Sequence, residues 1–493
     1  MVRKIILAIF LLLLSGCSAT IYDSSKEKTY NYSLTFDDDD LDDSYSDEKY
    51  IVLEQDEDLY IEEGGTYLLS GKLNAGIVVD TNEEVKLILN NITITNDDFA
   101  AIYVKSAKKC TITLNEGSTN YISDGENYTQ IDENSVDAAI FSKADLVLNG
   151  TGTLTVNGNY RHGIVSKDDL IIIDGTYNIV SNSQGICGKD CVKIHDGTIN
   201  IESGKDSIKS NNDEDEGRGY VYIAGGNINI NSGDDGIQAY NDLIIDGGKI
   251  NISKSYEGLE ASYIKINGGN INITSSDDGI NASNKSGGNT ASITISDGKI
   301  YINAQGDGID SNGQVFITGG TLFVEGPLSG GDSAFDYETG GYVSGGEVIM
   351  IGQSDMAEGF SEDGTSQCNL LYNFDSSFPK DSVITISNNG ETIFEETTTK
   401  MFNSLLISSE KISVGDTITI TINDETYKYT LESTTNTYGN NRDGMPNGNF
   451  DPNNDEMQRD DNEDRPDMFN RDGKNPPNDM PDTNNDDKEE TNE

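Results

Sequence analysis

Short runs in which apolar and polar residues alternate recur along most of the chain, each pair of runs broken by a glycine doublet. Leu243-Ile-Ile-Asp-Gly-Gly-Lys-Ile-Asn-Ile-Ser253, Ile264-Lys-Ile-Asn-Gly-Gly-Asn-Ile-Asn-Ile273 and Val315-Phe-Ile-Thr-Gly-Gly-Thr-Leu-Phe-Val324 are three copies of this phrase. Period-two alternation predicts short β-strands, with Ile250 and Ile252 turned inward and Asn251 outward. A third short stretch carries Asp235-Gly-Ile-Gln-Ala239, repeated as Glu257-Gly-Leu-Glu-Ala261, Asp278-Gly-Ile-Asn-Ala282 and Asp307-Gly-Ile-Asp-Ser311, with Asp206-Ser-Ile-Lys-Ser210 before them. Its apolar residue runs through Ile140, Ile164, Ile186, Ile208, Ile237, Leu259, Ile280, Ile309, Phe335 and Phe360, at intervals of 21 to 29 residues. The longest intervals hold polar insertions at 212–219 and 284–289. Such a period marks a solenoid whose insertions loop out. Three strands per coil of about 22 residues, stacked at about 4.8 Å, predict a parallel β-helix. A leucine-rich repeat and a nonapeptide calcium roll lack their signatures here.

The chain ends follow other rules. Arg3 and Lys4 precede an apolar run from Ile5 to Leu14 that is too short to span a bilayer comfortably and reads as a secretion signal over 1–17. Its ending, Leu14-Ser-Gly-Cys17, resembles a bacterial lipobox, which makes Cys17 the expected lipidation site and places the protein outside the cytoplasm, anchored to the cell membrane or surface. Residues 18–50 read as an acidic tether and 51–375 as the β-helix. Alternating runs such as Val383-Ile-Thr-Ile386, Ser404-Leu-Leu-Ile407 and Thr417-Ile-Thr-Ile-Thr421 predict a small antiparallel β module over 376–433. The tail from 434 to 493 is acidic and poor in apolar residues, so disorder is expected there.

Charge narrows the partners. With 86 Asp and Glu against 33 Lys and Arg, the net charge is −53. That excludes nucleic acid, whose phosphates need a basic footprint. Besides Cys17, the cysteines are Cys110, Cys187, Cys191 and Cys368; no ligand set accompanies them, and buried thiols are expected.

Stacking the repeats places Asp206, Asp235, Glu257, Asp278 and Asp307 in one row, and Lys209, Gln238, Glu260, Asn281 and Asp310 in a second. Asp234 and Asp277 add carboxylates beside the first. Like charges at rung spacing repel strongly unless screened or bridged, and a hard, irregularly coordinated cation such as calcium relieves this. The expected metal ligands are therefore Asp206, Asp235, Glu257, Glu260, Asp278, Asp307 and Asp310. Asp-Gly also caps tight turns without any metal. A further outward row reads Asn178, Asn200, Asn229, Asn251 and Asn272, then Tyr301 and Phe323. The asparagines suit an amide ladder; the two aromatics are candidate platforms for sugar rings.

The Asp-Gly-Ile-x-Ala and Gly-Gly-x-Ile-x-Ile words together resemble a bacterial carbohydrate-binding family of calcium-binding right-handed parallel β-helices, pectate-lyase-like in shape. The resemblance covers roughly 50–433, including Phe402-Asn-Ser-Leu-Leu-Ile-Ser-Ser409 and Gly415-Asp-Thr-Ile-Thr-Ile420. It implies binding of polysaccharide, acidic and pectic or cellulose-like, by a monomer and without catalysis. The Asp-Gly-Ile positions carry over as calcium candidates; Asp206-Ser and Glu257-Gly depart from the word. The alternative is a calcium-dependent polysaccharide lyase with Lys209 as base, and Lys205, Arg218 and Lys254 as weaker candidates. A glycosidase, which needs a carboxyl pair, and a surface adhesin or spacer remain open.

Overall fold

The computed structural model describes residues 32–439 apart from 47, 216 and 286–290. The lipobox cysteine, the signal and most of the acidic tail lie outside the described residues. The chain divides into two compact units, 1–444 and 445–493, and every described residue belongs to the first.

It is a parallel β-helix. Each coil contributes three strands, as Asp242–Ile245, Lys249–Lys254 and Leu259–Ala261 do. The first two kinds of strand join into one 26-stranded sheet, and the third kind forms an 11-stranded sheet. Registers are parallel and repeat coil after coil: Ile208 on Ile237, Ile237 on Leu259, Leu259 on Ile280, Ile280 on Ile309. These five side chains are completely buried, as is Ile250, while Asn251 is half-exposed. Alternation therefore sorted the strands correctly. Each buried isoleucine contributes about 1.5–3 kcal/mol, which a column of such coils multiplies.

Coils also exist where the Asp-Gly-Ile word does not. Leu59 pairs with Ile77, Ile77 with Ile102 and Ile102 with Ile140, extending the third ladder toward the N-terminus. Residues 212–219 loop out between Ile208–Ser210 and Tyr220–Ile223, as the long interval predicts. Another insertion, between Thr119–Ser123 and Ala138–Ser142, lays Tyr128 and Val136 with Phe99 against Tyr103, Phe141 and Val165 on the outer face of the third ladder.

Both ends are closed by non-repetitive chain. Residues 32–44 run as a strap across successive coils. The Tyr32 ring lies 4.3 Å from that of Tyr220, and Phe36 meets His195 at 4.9 Å. Buried Lys193 donates to the carbonyls of Ser33 and Thr35. Asp40 is buried in an ion pair with Lys109 at 2.6 Å. This part of the expected tether is thus bound to the helix, because Tyr32, Leu34 and Phe36 supply apolar area that the acidic residues around them hide in the sequence. At the other end, Glu347–Gly352 pairs antiparallel with Phe402–Ser408, which pairs with Asn369–Phe378. Ser404–Ile407 therefore extends the main sheet, while Val383–Asn388, Glu391–Thr397, Thr417–Ile422 and Glu425–Thr430 form a separate four-stranded antiparallel sheet.

The two glycine positions of the repeat answer different demands. The second glycine of each doublet is left-handed, with φ of +91° at Gly248 and +96° at Gly269. The glycine of Asp-Gly-Ile is not; it is there because neighbouring coils touch. A Cβ on Gly279 would sit 2.3 Å from Ile302 Cγ2 and 2.5 Å from the Gly308 carbonyl oxygen. Gly279→Ala should cost about 1–3 kcal/mol by overpacking. Gly331→Ala, where a Cβ would meet nothing within 4 Å, should stay within about 0.5 kcal/mol of the parent. Denaturant midpoints of the two variants check this, and equal stability would contradict the close-approach account.

Candidate functional site

The word Asp-Gly-Ile sits at the start of the short third-ladder strands. The isoleucine points into the core, so the residue after it faces out, giving the in-register row Lys209, Gln238, Glu260, Asn281 and Asp310. Two residues before each isoleucine lies the row Asp206, Asp235, Glu257, Asp278, Asp307. Its carboxylates accept main-chain N–H groups of the next coil rather than of their own turn. Asp206 accepts from Asp235 N at 3.3 Å, Asp235 from Glu257 N at 3.3 Å, Asp278 from Asp307 N at 2.7 Å and Asp307 from Ser333 N at 2.5 Å. Glu257 reaches further and accepts from Asn281 Nδ2 in the second row at 3.0 Å.

The two rows meet in four groups of carboxylates, each with ligand oxygens within 4.8 Å of one another: Asp206–Asp234–Asp235, Asp235–Glu257–Glu260, Glu257–Asp277–Asp278 and Asp278–Asp307–Asp310. All seven sequence-predicted ligands fall in these groups, joined by Asp234 and Asp277. Lysines already neutralise part of the edge. Lys209 Nζ lies 2.6 Å from Asp206, and Lys285 lies 2.9 Å from Glu260. Several of the remaining carboxyls hold their protons to unusually high pH. Burial first, then neighbouring carboxylates, pushes Asp235 up to about 7, Glu257 to about 8 and Asp310 to about 7. Asp307 is pushed up to about 8 by burial and Asp278. Glu257 Oε2 and Asn281 Oδ1 are shut off from solvent with no hydrogen-bond partner. An all-oxygen donor set with surplus negative charge and an unsatisfied carboxylate oxygen fits a hard divalent cation.

Burial alone would lower the Lys209 pKa, but the Asp206 carboxylate outweighs it and the ammonium ends above its ordinary value. Lys209 is thus a counter-charge rather than a free amine. The platform residues have another role. Tyr301 and Phe323 continue the asparagine column in register, and amide bonds of 2.9 Å link Asn178, Asn200 and Asn229. The Tyr301 hydroxyl, however, donates to buried Glu325 at 2.5 Å, and the Phe323 ring packs 5.4 Å from Phe394 of the C-terminal sheet. Half-buried there, the two rings dock the C-terminal module instead of offering an open face.

Two features escaped the sequence reading. Tyr256 precedes the edge in the place that Lys205, Asp234 and Asp277 take in other coils, and is 49% exposed; that repeat position was the available signal. A second acidic group, Asp145–Asp168–Asp169, gathers at another corner. Arg218, from the insertion, lies 3.3 Å from Asp169 and 2.7 Å from Asp190, so this group carries its own cation. The free cysteines are inert: burial pushes the thiol up to about 12 at Cys110 and about 11 at half-buried Cys187.

The model of the carbohydrate-binding domain-containing protein family matches residues 55–261 and 257–369, more than half of the chain. The chain belongs to this family. A curated member from Acetivibrio thermocellus is 34% identical over 189 residues, which are 36% of this chain and 65% of that protein. The present family member thus spans just under two thirds of that relative. A solved structure of the polysaccharide lyase-like protein from C. thermocellum, a gadolinium derivative, is 32% identical, covering 45% of this chain and 92% of that one with a TM-score of 0.40. The residues matched by the family model include every carboxylate of the acidic edge.

The raised carboxyl pKa values fix a sign. A folded-state value above the ordinary one means that the folded protein holds protons the unfolded chain has released, so this stabilisation is present at low pH and lost as pH rises. In metal-free protein the melting temperature should fall between about pH 5 and about pH 9, and Asp307→Asn should flatten part of that slope. A profile that rises or stays level, measured in chelator, would contradict the assignment.

Proposed function

We infer that this member of the carbohydrate-binding family is a lipid-anchored, extracytoplasmic polysaccharide-binding protein whose acidic edge holds calcium. The observation that supports it most is the carboxylate edge itself. Nine Asp and Glu residues converge along five coils in four overlapping groups, two lysines offset only part of the charge, and an orphaned Glu257 oxygen faces no donor. Asp235, Glu257 and Glu260 would hold one ion, and Asp278, Asp307 and Asp310 another. Bound calcium would supply positive charge that a sugar hydroxyl or uronate carboxylate can share. The chain's own residues do the rest: Gln238 holds Asp235 at 2.7 Å and Ser283 holds Glu260 at 2.8 Å, fixing carboxylate orientation.

Anchoring rests on Cys17, which would be the acylated N-terminus of the mature protein; radiolabelled fatty acid should enter the parent and not Cys17→Ser. The glycan is acidic or cellulose-like on the sequence reading, and a glycan array with and without calcium separates these from an adhesin or spacer that binds none.

Titrating calcium into chelator-treated protein should raise the melting temperature by several degrees, since ligand that binds only the folded state stabilises it by about 2.7 kcal/mol at a hundredfold excess over Kd. Asp278→Asn should remove most of that shift, because Asp278 serves two of the four groups. No shift in the parent protein would dismiss the calcium reading. Polysaccharide binding that survives Asp278→Asn would separate the glycan site from the ion.

A further inference from the structure

The outward face of the third ladder changes character along the helix. Its in-register column reads Val78, Tyr103, Phe141, Val165, Cys187, Lys209, Gln238, Glu260. The first four are roofed by the insertion bearing Tyr128 and Val136, and the carboxylate edge follows after Lys209. Beside this column runs a ridge of residues three before each core isoleucine. Ser183 N donates to the Arg161 carbonyl at 2.6 Å and Lys205 N to the Ser183 carbonyl at 3.2 Å. Tyr256 N donates to the Asp234 carbonyl at 2.7 Å and Asp277 N to the Tyr256 carbonyl at 3.0 Å. The ridge is therefore continuous: Arg161, Ser183, Lys205, Asp234, Tyr256, Asp277.

Cations gather at its start. Arg161 and Lys205 are 55% and 59% exposed; their nearest carboxylates, Asp137 and Asp234, lie at 3.6 and 3.4 Å. Ion pairs this open are worth about 0–1 kcal/mol and exchange partners readily. Lys167 is exposed, with its ammonium 5.3 Å above the Phe141 ring and no carboxylate in ion-pair reach among the described residues. Lys167 and Lys209 both act on the thiol of Cys187, which sits between them. By contrast, Lys193 and Lys400 are buried on backbone carbonyls and Arg218 is enclosed by three aspartates. In a chain of net charge −53, exposed and weakly held cations on neighbouring coils are the exception to account for. Two coils beyond Lys205, about 10 Å along the axis at about 4.8 Å per coil, the half-exposed Tyr256 ring stands on the same ridge, its hydroxyl tied to Asp277.

We propose that this ridge is the binding track of a polyuronate chain, with uronate carboxylates on Arg161, Lys167 and Lys205 and a sugar ring on Tyr256. The reading rests on the polysaccharide-binding function and names its ligand class. Coils rise by a distance close to the length of one pyranose residue, so successive sugars meet successive coils. Guanidinium and ammonium groups bind carboxylates by charge-assisted hydrogen bonds, and an aromatic face takes the apolar side of a sugar ring. A neutral glucan would have no use for three cations. A polyphosphate would meet the repulsion of the whole molecule, which a partly esterified or calcium-bridged polyuronate escapes.

The test compares polygalacturonate with its fully methyl-esterified form, at fixed calcium, using the full chain. The parent should prefer the acid form by about tenfold or more, with a preference that shrinks as salt is added. Arg161→Ala/Lys167→Ala/Lys205→Ala should bind both forms alike, while its calcium-induced melting shift matches the parent's; that shift also certifies folding. Arg161→Lys alone should keep the preference. Tyr256→Ala should weaken both forms together. A folded triple variant that still prefers the acid form overturns the track. A parent that binds the esterified form equally well overturns it and leaves the polysaccharide reading standing, whereas a parent that binds no glycan removes both.

Discussion

Parallel stacking in register, at about 4.8 Å per coil, is the constraint on which the rest of this molecule depends. It sets each residue on its counterpart from the coil before, so one substitution pattern has opposite effects for different chemistries. For isoleucine the consequence is a gapless column, Ile208 through Ile309, entirely closed to water. For asparagine it is a ladder in which one amide's N–H donates to the next amide's oxygen, as from Asn229 to Asn200. For aspartate it is repulsion. The acidic edge answers with four devices at once. Main-chain N–H groups of the next coil point at the carboxylates, Lys209 and Lys285 bring compensating charge, several carboxyls keep their protons to unusually high pH, and the oxygens that remain form sets suited to a cation. Any one of these would leave the row strained; a neutral hydrophobic column would have been simpler to fold, so its persistence through five coils argues for use rather than for stability.

A solenoid also has to stop. The same backbone that stacks so well offers open edges at both ends, a hazard that coils cannot cure by repetition. Here the non-repetitive pieces are attached by buried lysines bonded to carbonyls. Lys193 holds the strap at Ser33 and Thr35. Lys400 holds the C-terminal module through the carbonyls of Glu325 and Gly326, and its burial lowers its pKa to about 8. Beside it, Glu325 accepts from Thr399 N at 2.6 Å and from the Tyr301 hydroxyl. Cations in an acidic chain thus divide into those spent on architecture and those left in solvent, and only the second kind is available to a ligand.

Whatever repeated was legible in the sequence, because a repeated word must land in register. The strand pattern, the isoleucine column, the asparagine ladder and both acidic rows came from spacing alone. What did not repeat was hidden. The N-terminal coils through Leu59, Ile77 and Ile102 lack Asp-Gly-Ile, since their outward positions carry Val78 and Tyr103 under a roof instead of carboxylates. The strap was masked by its own acidic residues. Tyr301 and Phe323 looked like a ligand platform because exposure on an isolated sheet was assumed; the docking of Phe394 is a long-range event with no local signal. Tyr256 was readable only as an exception to a row that had not yet been drawn.

Binding and catalysis make different demands on the cations that remain. A lyase base must be neutral at working pH, so it needs burial without a close carboxylate, the environment that lowers Lys400. Lys209 has the reverse: Asp206 at 2.6 Å stabilises the ammonium and outweighs burial. Arg161 keeps its charge at any physiological pH, and Lys205 and Lys167 are too solvated to lose theirs. Every exposed cation along this edge is therefore built to stay charged, which suits holding an anionic chain and does not suit taking a proton from it. The carboxylates show the complementary bias. Their pKa values are pushed toward neutrality by crowding rather than paired off as one acid and one base, so they act as a shared charge that a divalent ion can discharge. An edge of that design recognises a polymer by matching its charge, coil by coil, over several sugars.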